Sequence, residues 1–286
     1  MTHLPGVKVL LEGPSGTGKT YALGTLCDWA EQNNSEVFVL FTENGLETLL
    51  GYWSDRGKPV PKCLHYHTEL TKSISLASLM DATDKIGKLS YEFVSKIQDN
   101  TRSQNNAFYK ILESCNNFPD DRTGQKFGAV DLWDSSRIFV MDSLSETANA
   151  CMKTVIGNKP TASQPDYGVA QNNLMNFLRL CTQGTACHFV LTAHVDRIID
   201  EILGGKLIMT KAIGKAIAGD IPPLFSDVIY TVREGTDFYW DTAAIGVDTK
   251  TRSLPVASKQ RPSFEPIMQK WLARQKSSVV SSDDKK

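Results

Sequence analysis

The sequence has no apolar run approaching the roughly 20 residues that span a bilayer, no Cys-x-x-Cys pair among its six cysteines and no excess of either charge. Each absence removes a class of protein. No transmembrane helix is expected, and the opening MTHLPGVKVLLEG lacks the basic-then-apolar order of a secretory signal, so a cytoplasmic protein without membrane association is expected. Cys27, Cys63, Cys115, Cys151, Cys181 and Cys187 are expected as free, mostly buried thiols. Lys and Arg number 31 against 32 Asp and Glu. The chain is therefore no polycation, and any contact with nucleic acid has to be a local patch. Gly 20 and Pro 12 in 286 residues, with 41% hydrophobic residues, leave a globular chain rather than a fibrous or disordered one.

What is present alternates. Val7 to Leu11 is an apolar run followed by a glycine-rich turn and an amphipathic stretch from Lys19 to about Glu31, which reads as strand, loop, helix. Glu36 to Phe41 repeats the pattern ahead of a helix holding Leu46, Leu49, Leu50 and Trp53. Cys63 to His67 is a shorter third strand. Ile138 to Met141 and His188 to Thr192 are buried strands, with a helix over Tyr167 to Leu180 between them. Such alternation predicts an α/β fold, mainly a parallel sheet with helices on both faces. Gly204-Gly205 between two apolar runs predicts a tight hairpin. Val228 to Val232, Phe238 to Trp240 and Ala243 to Val247 predict an antiparallel C-terminal extension of the sheet. Residues 76–134, polar and rich in Asn and Ser, read as a mostly helical insertion in a single domain over 1–275. The small, polar tail 276–286 is expected to be disordered.

Gly13-Pro14-Ser15-Gly16-Thr17-Gly18-Lys19-Thr20 fits the phosphate-binding pattern G-x-x-x-x-G-K-[ST] at every fixed position, between a strand and a helix as the mechanism requires. The glycines let backbone N–H groups turn around phosphate oxygens at a helix N-terminus. Lys19 would reach the β- and γ-phosphates, the Thr20 hydroxyl would ligate Mg²⁺, and Tyr21 follows at the nucleotide. ATP and Mg²⁺ are the expected cofactors. A second carboxylate is needed to orient the metal, and Ile138-Phe139-Val140-Met141 ends in Asp142, at the carboxyl edge where open α/β sheets bind ligands. Glu43 ends the strand after the first helix and is the candidate to activate water.

The order of phosphate loop, strand ending in Glu43, strand ending in Asp142-Ser143, then His188-Phe189-Val190-Leu191-Thr192-Ala193-His194 resembles the RecA-like ATPases. The resemblance implies that Glu43 is the catalytic glutamate, Asp142 the metal-orienting aspartate and His194 the sensor of the γ-phosphate. A narrower similarity, to phage AAA-like nucleotide-binding proteins of single-strand annealing type, rests on Thr42-Glu43-Asn44-Gly45-Leu46, Leu191-Thr192-Ala193-His194, and Ile213-Gly214-Lys215-Ala216 leading into Ile221-Pro222-Pro223-Leu224-Phe225-Ser226-Asp227-Val228. It implies action on single-stranded DNA in recombination, annealing or replication, self-association into an oligomer or filament, and phage or host replication proteins as partners. RecA-like sites are completed by a neighbour's cation. Lys206, Lys211, Lys215, Arg252, Lys259 and Arg261 are candidates, Lys215 and Arg261 preferred.

Two weaker patterns remain. Cys63-x-His65-x-His67 puts three metal-capable side chains on one strand face without a fourth ligand. The stretch Val195 to Lys215 mixes Arg197, Lys206, Lys211 and Lys215 with Asp196, Asp200 and Glu201, and has no aromatic residue to stack bases. Three rivals therefore stand beside a DNA-acting ATPase: an ATPase driving a protein partner in packaging, assembly or helicase loading, a small-molecule kinase, and a nucleotide-gated structural protein.

Overall fold

The apolar runs become strands in the computed structural model, which describes residues 4–70, 76–88, 106–157, 159, 161–199 and 206–283. In chain order the strands are β1 (Lys8–Glu12), β2 (Glu36–Phe41), β3 (Leu64–Thr68), β4 (Arg137–Asp142), β5 (His188–Ala193), β6 (Val195–Ile199), β7 (Lys206–Thr210), β8 (Asp227–Glu234) and β9 (Asp237–Asp241). The helices are α1 (Lys19–Gln32), α2 (Leu46–Ser54), α3 (Leu76–Gly87), α4 (Ala107–Asn116), α5 (Leu144–Ile156), α6 (Gln164–Arg179) and α7 (Glu265–Asp283). Seven strands form one sheet in the order β3-β2-β4-β5-β1-β8-β9, and β6 and β7 pair separately. All neighbours in the large sheet run parallel except β8 and β9. This is the α/β class expected.

The strands are continuously apolar because both faces are covered. Leu10, Phe139, Met141, Phe189 and Leu191 face one core, closed by α4, α5 and α6. Val9, Leu11, Ile138, Val140 and Val190 face the other, closed by α1, α2 and α7. Alternation along one strand thus feeds two cores at once.

Several expectations need correction. The strand predicted at Val228 to Val232 is parallel, registered against β1 from Val9↔Asp227 to Glu12↔Tyr230; only β9 reverses direction. Ala243 to Val247 forms no strand beyond a single bridge, Ile208↔Val247. The expected hairpin is present as β6 and β7, paired from Val195↔Thr210 to Ile199↔Lys206, and the Gly204-Gly205 turn lies outside the described residues. The tail expected to be disordered is helical as far as Asp283. Phe264, Ile267, Met268 and Trp271 bury the start of that helix, and helix propagation from an anchored turn is cooperative. Among the described residues no helix is long and apolar enough to cross a membrane.

Among the described residues the insertion is α-helical in α3 and α4. Residues 89–105 lie outside the described residues, and 117–134 is irregular apart from one 3-10 turn at Val130–Leu132. Aromatic rings fix that stretch where helical periodicity is absent: Phe118, Phe127 and Trp133 pack around Phe38 of β2 at 5.4, 4.9 and 4.3 Å between centroids. The same stretch runs alongside β3. Asp120 Oδ1 accepts from Tyr66 N (3.2 Å), Asp121 Oδ2 from Thr68 N (2.9 Å), and Arg122 donates to the Leu64 carbonyl (3.2 Å).

Candidate active site

The site lies at the carboxyl ends of β1, β2, β4 and β5, with β5 standing between the strands of the phosphate loop and of Asp142. Gly18 begins α1 in the left-handed region, φ 81°, a conformation a side chain would strain. Lys19, buried in the loop, donates from Nζ to the Gly13 and Pro14 carbonyls, both at 2.8 Å. Burial draws its pKa down to about 8, with Asp142, Glu43 and Glu12 opposing.

Asp142 is 1% exposed. Its Oδ2 accepts from Thr20 Oγ1 at 2.7 Å, and its Oδ1 accepts from Thr192 Oγ1. Burial raises its pKa, while those two hydroxyls hold it down. The chain is shaped to admit this carboxylate: a Cβ on Gly45 would stand 2.7 Å from Asp142 Oδ2. The fully buried Ser143 hydroxyl faces the Glu43 carboxyl and makes no other hydrogen bond among the described residues. The Thr20 hydroxyl and the Asp142 carboxylate already in contact, beside the buried Ser143 hydroxyl, form an oxygen donor set suited to Mg²⁺.

Glu43 follows β2 and reaches the residue that ends β5: its Oε2 is 3.4 Å from His194 Nε2. The His194 hydrogen bond keeps the Glu43 carboxyl below its ordinary range against the effect of partial burial. Thr42 fixes the approach, its hydroxyl donating to Ser143 O at 2.9 Å and receiving Ser143 N at 3.0 Å. The phosphate loop, Glu43, Asn44, Thr48 and His194 line one cavity of about 460 Å³.

A second cavity of about 600 Å³ adjoins it, sharing Gly16, Gly18, Tyr21 and Thr48. Its walls are flat: the Arg56 guanidinium lies 3.9 Å from the Tyr52 ring centroid and 5.2 Å from that of Tyr21, and Phe238 stands opposite, against Gly18. Arg261 lines this cavity in the chain's own site, whereas it was expected to serve a neighbour's. Lys215 is exposed in the loop after β7 and lines neither cavity.

Sequence reasoning missed Thr48, Tyr52, Arg56, Thr192, Thr231 and Phe238, and it missed Glu12. The Tyr52–Arg56 pair had a signal, since residues four apart on a helix face one another. Glu12 had none, because a carboxylate before the loop reads as a strand end. In the Cys63-x-His65-x-His67 pattern the two rings face carboxylates, and Cys63 Sγ donates to the Cys27 carbonyl (3.7 Å). His65 Nδ1 and Nε2 face Asp120 (3.1 Å) and Glu36 (3.6 Å), and His67 Nδ1 and Nε2 face Asp121 (2.7 Å) and Glu69 (3.7 Å). Both nitrogens of each ring are taken, in opposite directions, and no metal-holding group of three or more such side chains occurs among the described residues.

A family model described as an AAA domain matches residues 5–261. No curated protein shows significant similarity. Among solved structures, a prototypical ATPase from the type III secretion system of pathogenic bacteria is similar at 15% identity and a TM-score of 0.38, over 80% of this chain and 53% of that one. The chain thus spans about half the length of that ATPase.

Proposed function

Since the chain belongs to the AAA domain family, its nucleotide site is that of a P-loop ATPase, and we propose that it hydrolyses ATP with Mg²⁺ to drive the β6–β7 hairpin against single-stranded DNA. The observation that carries this reading is the position of His194. It touches Glu43 (3.4 Å), it immediately precedes β6, and its carbonyl accepts from Lys211 N just past β7 (2.8 Å). Any shift of Glu43 on engaging a γ-phosphate is therefore felt at the root of the hairpin.

The chain's residues divide the work. Loop amides and Lys19 hold phosphate, and the ionised Glu43 accepts a proton from the attacking water. Thr20 and Asp142 would hold Mg²⁺, which when bound neutralises phosphate charge. The cavity between Tyr52–Arg56 and Phe238 suits a nucleobase, with Arg261 at its rim. Exposed Arg197, Lys211 and Lys215 supply the local cationic patch for phosphate backbone contact. Self-association on the strand would let a neighbour complete the site.

A second reading is favoured by one observation: the hairpin also exposes Ile199 at 71% and Leu207 at 40%, which suits a protein partner as the driven element. Phosphate release, measured with and without single-stranded oligonucleotide over a protein concentration series with Lys19→Ala as blank, separates the two. DNA stimulation with steeper-than-linear dependence on protein is the expected result. Turnover indifferent to DNA would transfer the hairpin to a protein partner.

A further inference from the structure

Glu12 ends β1 one residue before the phosphate loop and is 1% exposed. Its Oε2 accepts from the buried Thr210 hydroxyl at the end of β7, at 2.7 Å. Its main-chain oxygen accepts from Thr231 Oγ1 at 3.1 Å, and that hydroxyl lies 2.6 Å from Thr17 Oγ1 within the loop. The hairpin therefore stands on two feet. One is tied to Glu43 through His194; the other is tied to the phosphate loop through Thr210 and Glu12.

The charged groups facing Glu12 are Lys19 of α1 and Asp248 of the turn after β9. Its register neighbours in the sheet are Ala193 on β5 and Tyr230 on β8. Lys19 is the single cation in this set, and its ammonium is turned back on the Gly13 and Pro14 carbonyls, next to Glu12. A triphosphate seated on the loop competes for that ammonium and brings its own negative charge toward the same strand end. Both changes disfavour a buried carboxylate.

Resting on the nucleotide-binding reading above, we propose that Glu12 is a positioning residue that takes up a proton from solvent when a nucleoside triphosphate binds, and so loosens the β7 foot of the hairpin. The ionised carboxylate holds Thr210 by a charge-assisted bond; once neutral, it holds it by an ordinary one. Burial already brings the group to about 7, so a modest change in surrounding charge crosses the working range of pH.

The test is calorimetric titration of Mg²⁺ and AMP-PNP into the full chain at about pH 7, in two buffers of different ionisation enthalpy, which counts protons exchanged per nucleotide bound. The wild type should take up about half a proton more than Glu12→Gln, and the excess should shrink at about pH 5, where Glu12 is protonated in both states. Thr210→Val removes the bond that favours the ionised form. It should leave Glu12 protonated before binding at about pH 7 and cut the excess uptake by at least half. Hydrogen exchange of β7 amides should rise on AMP-PNP binding in the wild type and not in Glu12→Gln. Equal proton counts in wild type and Glu12→Gln, with binding intact, would overturn this role of Glu12 and leave the ATPase reading standing. Absence of binding heat in the wild type would overturn both.

Discussion

The two ends of the sheet each bury charge or titratable rings, and they bury them in opposite ways. At the amino end, the Lys8 ammonium donates to Cys181 O (3.1 Å), Thr185 O (3.2 Å), Thr185 Oγ1 (2.8 Å) and Cys187 O (2.7 Å), so it is saturated by one short stretch of chain. His188 beside it takes Val7 N on Nδ1 at 3.0 Å. At the carboxyl end, Glu12 leans on one hydroxyl, Asp142 on two and Glu43 on the His194 ring. A buried group whose bonds are all made, as those of the Lys8 ammonium are, fixes structure. A buried group with bonds to spare can exchange partners, and that freedom is what a nucleotide site needs.

The comparison can be broken most severely by Glu43→Gln, which should lower ATP turnover by about 10²–10⁴-fold while leaving the unfolding midpoint in denaturant nearly unmoved. Loss of stability with turnover kept would reverse the assignment of the two ends. Lys8→Met should do the opposite. It takes the ammonium from the Thr185 and Cys187 carbonyls, while Cys181 O keeps the Thr185 hydroxyl, and costs on the order of 3 kcal/mol, with turnover per folded molecule unchanged.

Dependence on pH sharpens the contrast further. Burial pushes Glu12 up to about 7 and draws His188 down to about 3. The folded state binds Glu12's proton more tightly than the unfolded one, so that contribution falls as pH rises from about 4.5 to about 7. For His188 the folded state binds the proton less tightly, so stability is lost as pH falls from about 6.5 toward 3. The first is on the order of 3 kcal/mol and the second on the order of 5 kcal/mol over its window, and the two slopes oppose one another where the windows overlap. Thermal melts between about pH 4.5 and 6.5 should therefore be nearly flat in the wild type and should rise with pH in Glu12→Gln. A wild-type melt that already rises steeply would show that Glu12 is not titrating there. The smallest effect expected is that of Thr192→Val. With one of two hydroxyls gone from Asp142, the Mg²⁺ concentration for half-maximal turnover should rise about tenfold.

The amino-acid pattern makes the strands legible wherever both faces of the sheet are covered, because β1, β2, β4 and β5 then read as unbroken apolar runs. It makes Lys19, Thr20 and Asp142 legible because loop chemistry demands those residue types at fixed places. What it hides is distance along the chain. Glu12 and Thr210 are 198 positions apart, and nothing local marks either one. The direction of β8 was hidden for the same reason, since a parallel partner is chosen by the crossover and not by the strand. The tail misled because composition reports what a segment exposes, and not the anchored turn from which its helix grows.

The stretch that lies along β3 has a consequence for assembly. Asp120, Asp121 and Arg122 occupy the main-chain groups that β3 would offer a further strand, and on the opposite border Gln260 exchanges both main-chain bonds with Trp240 of β9 at 2.8 Å. The chain itself thus takes up main-chain groups at both borders of the seven-stranded sheet, which works against joining copies by extending that sheet from one molecule into the next. Contacts made instead through helix, loop or hairpin surfaces could loosen and re-form with each round of nucleotide without tearing the ladder of the seven-stranded sheet.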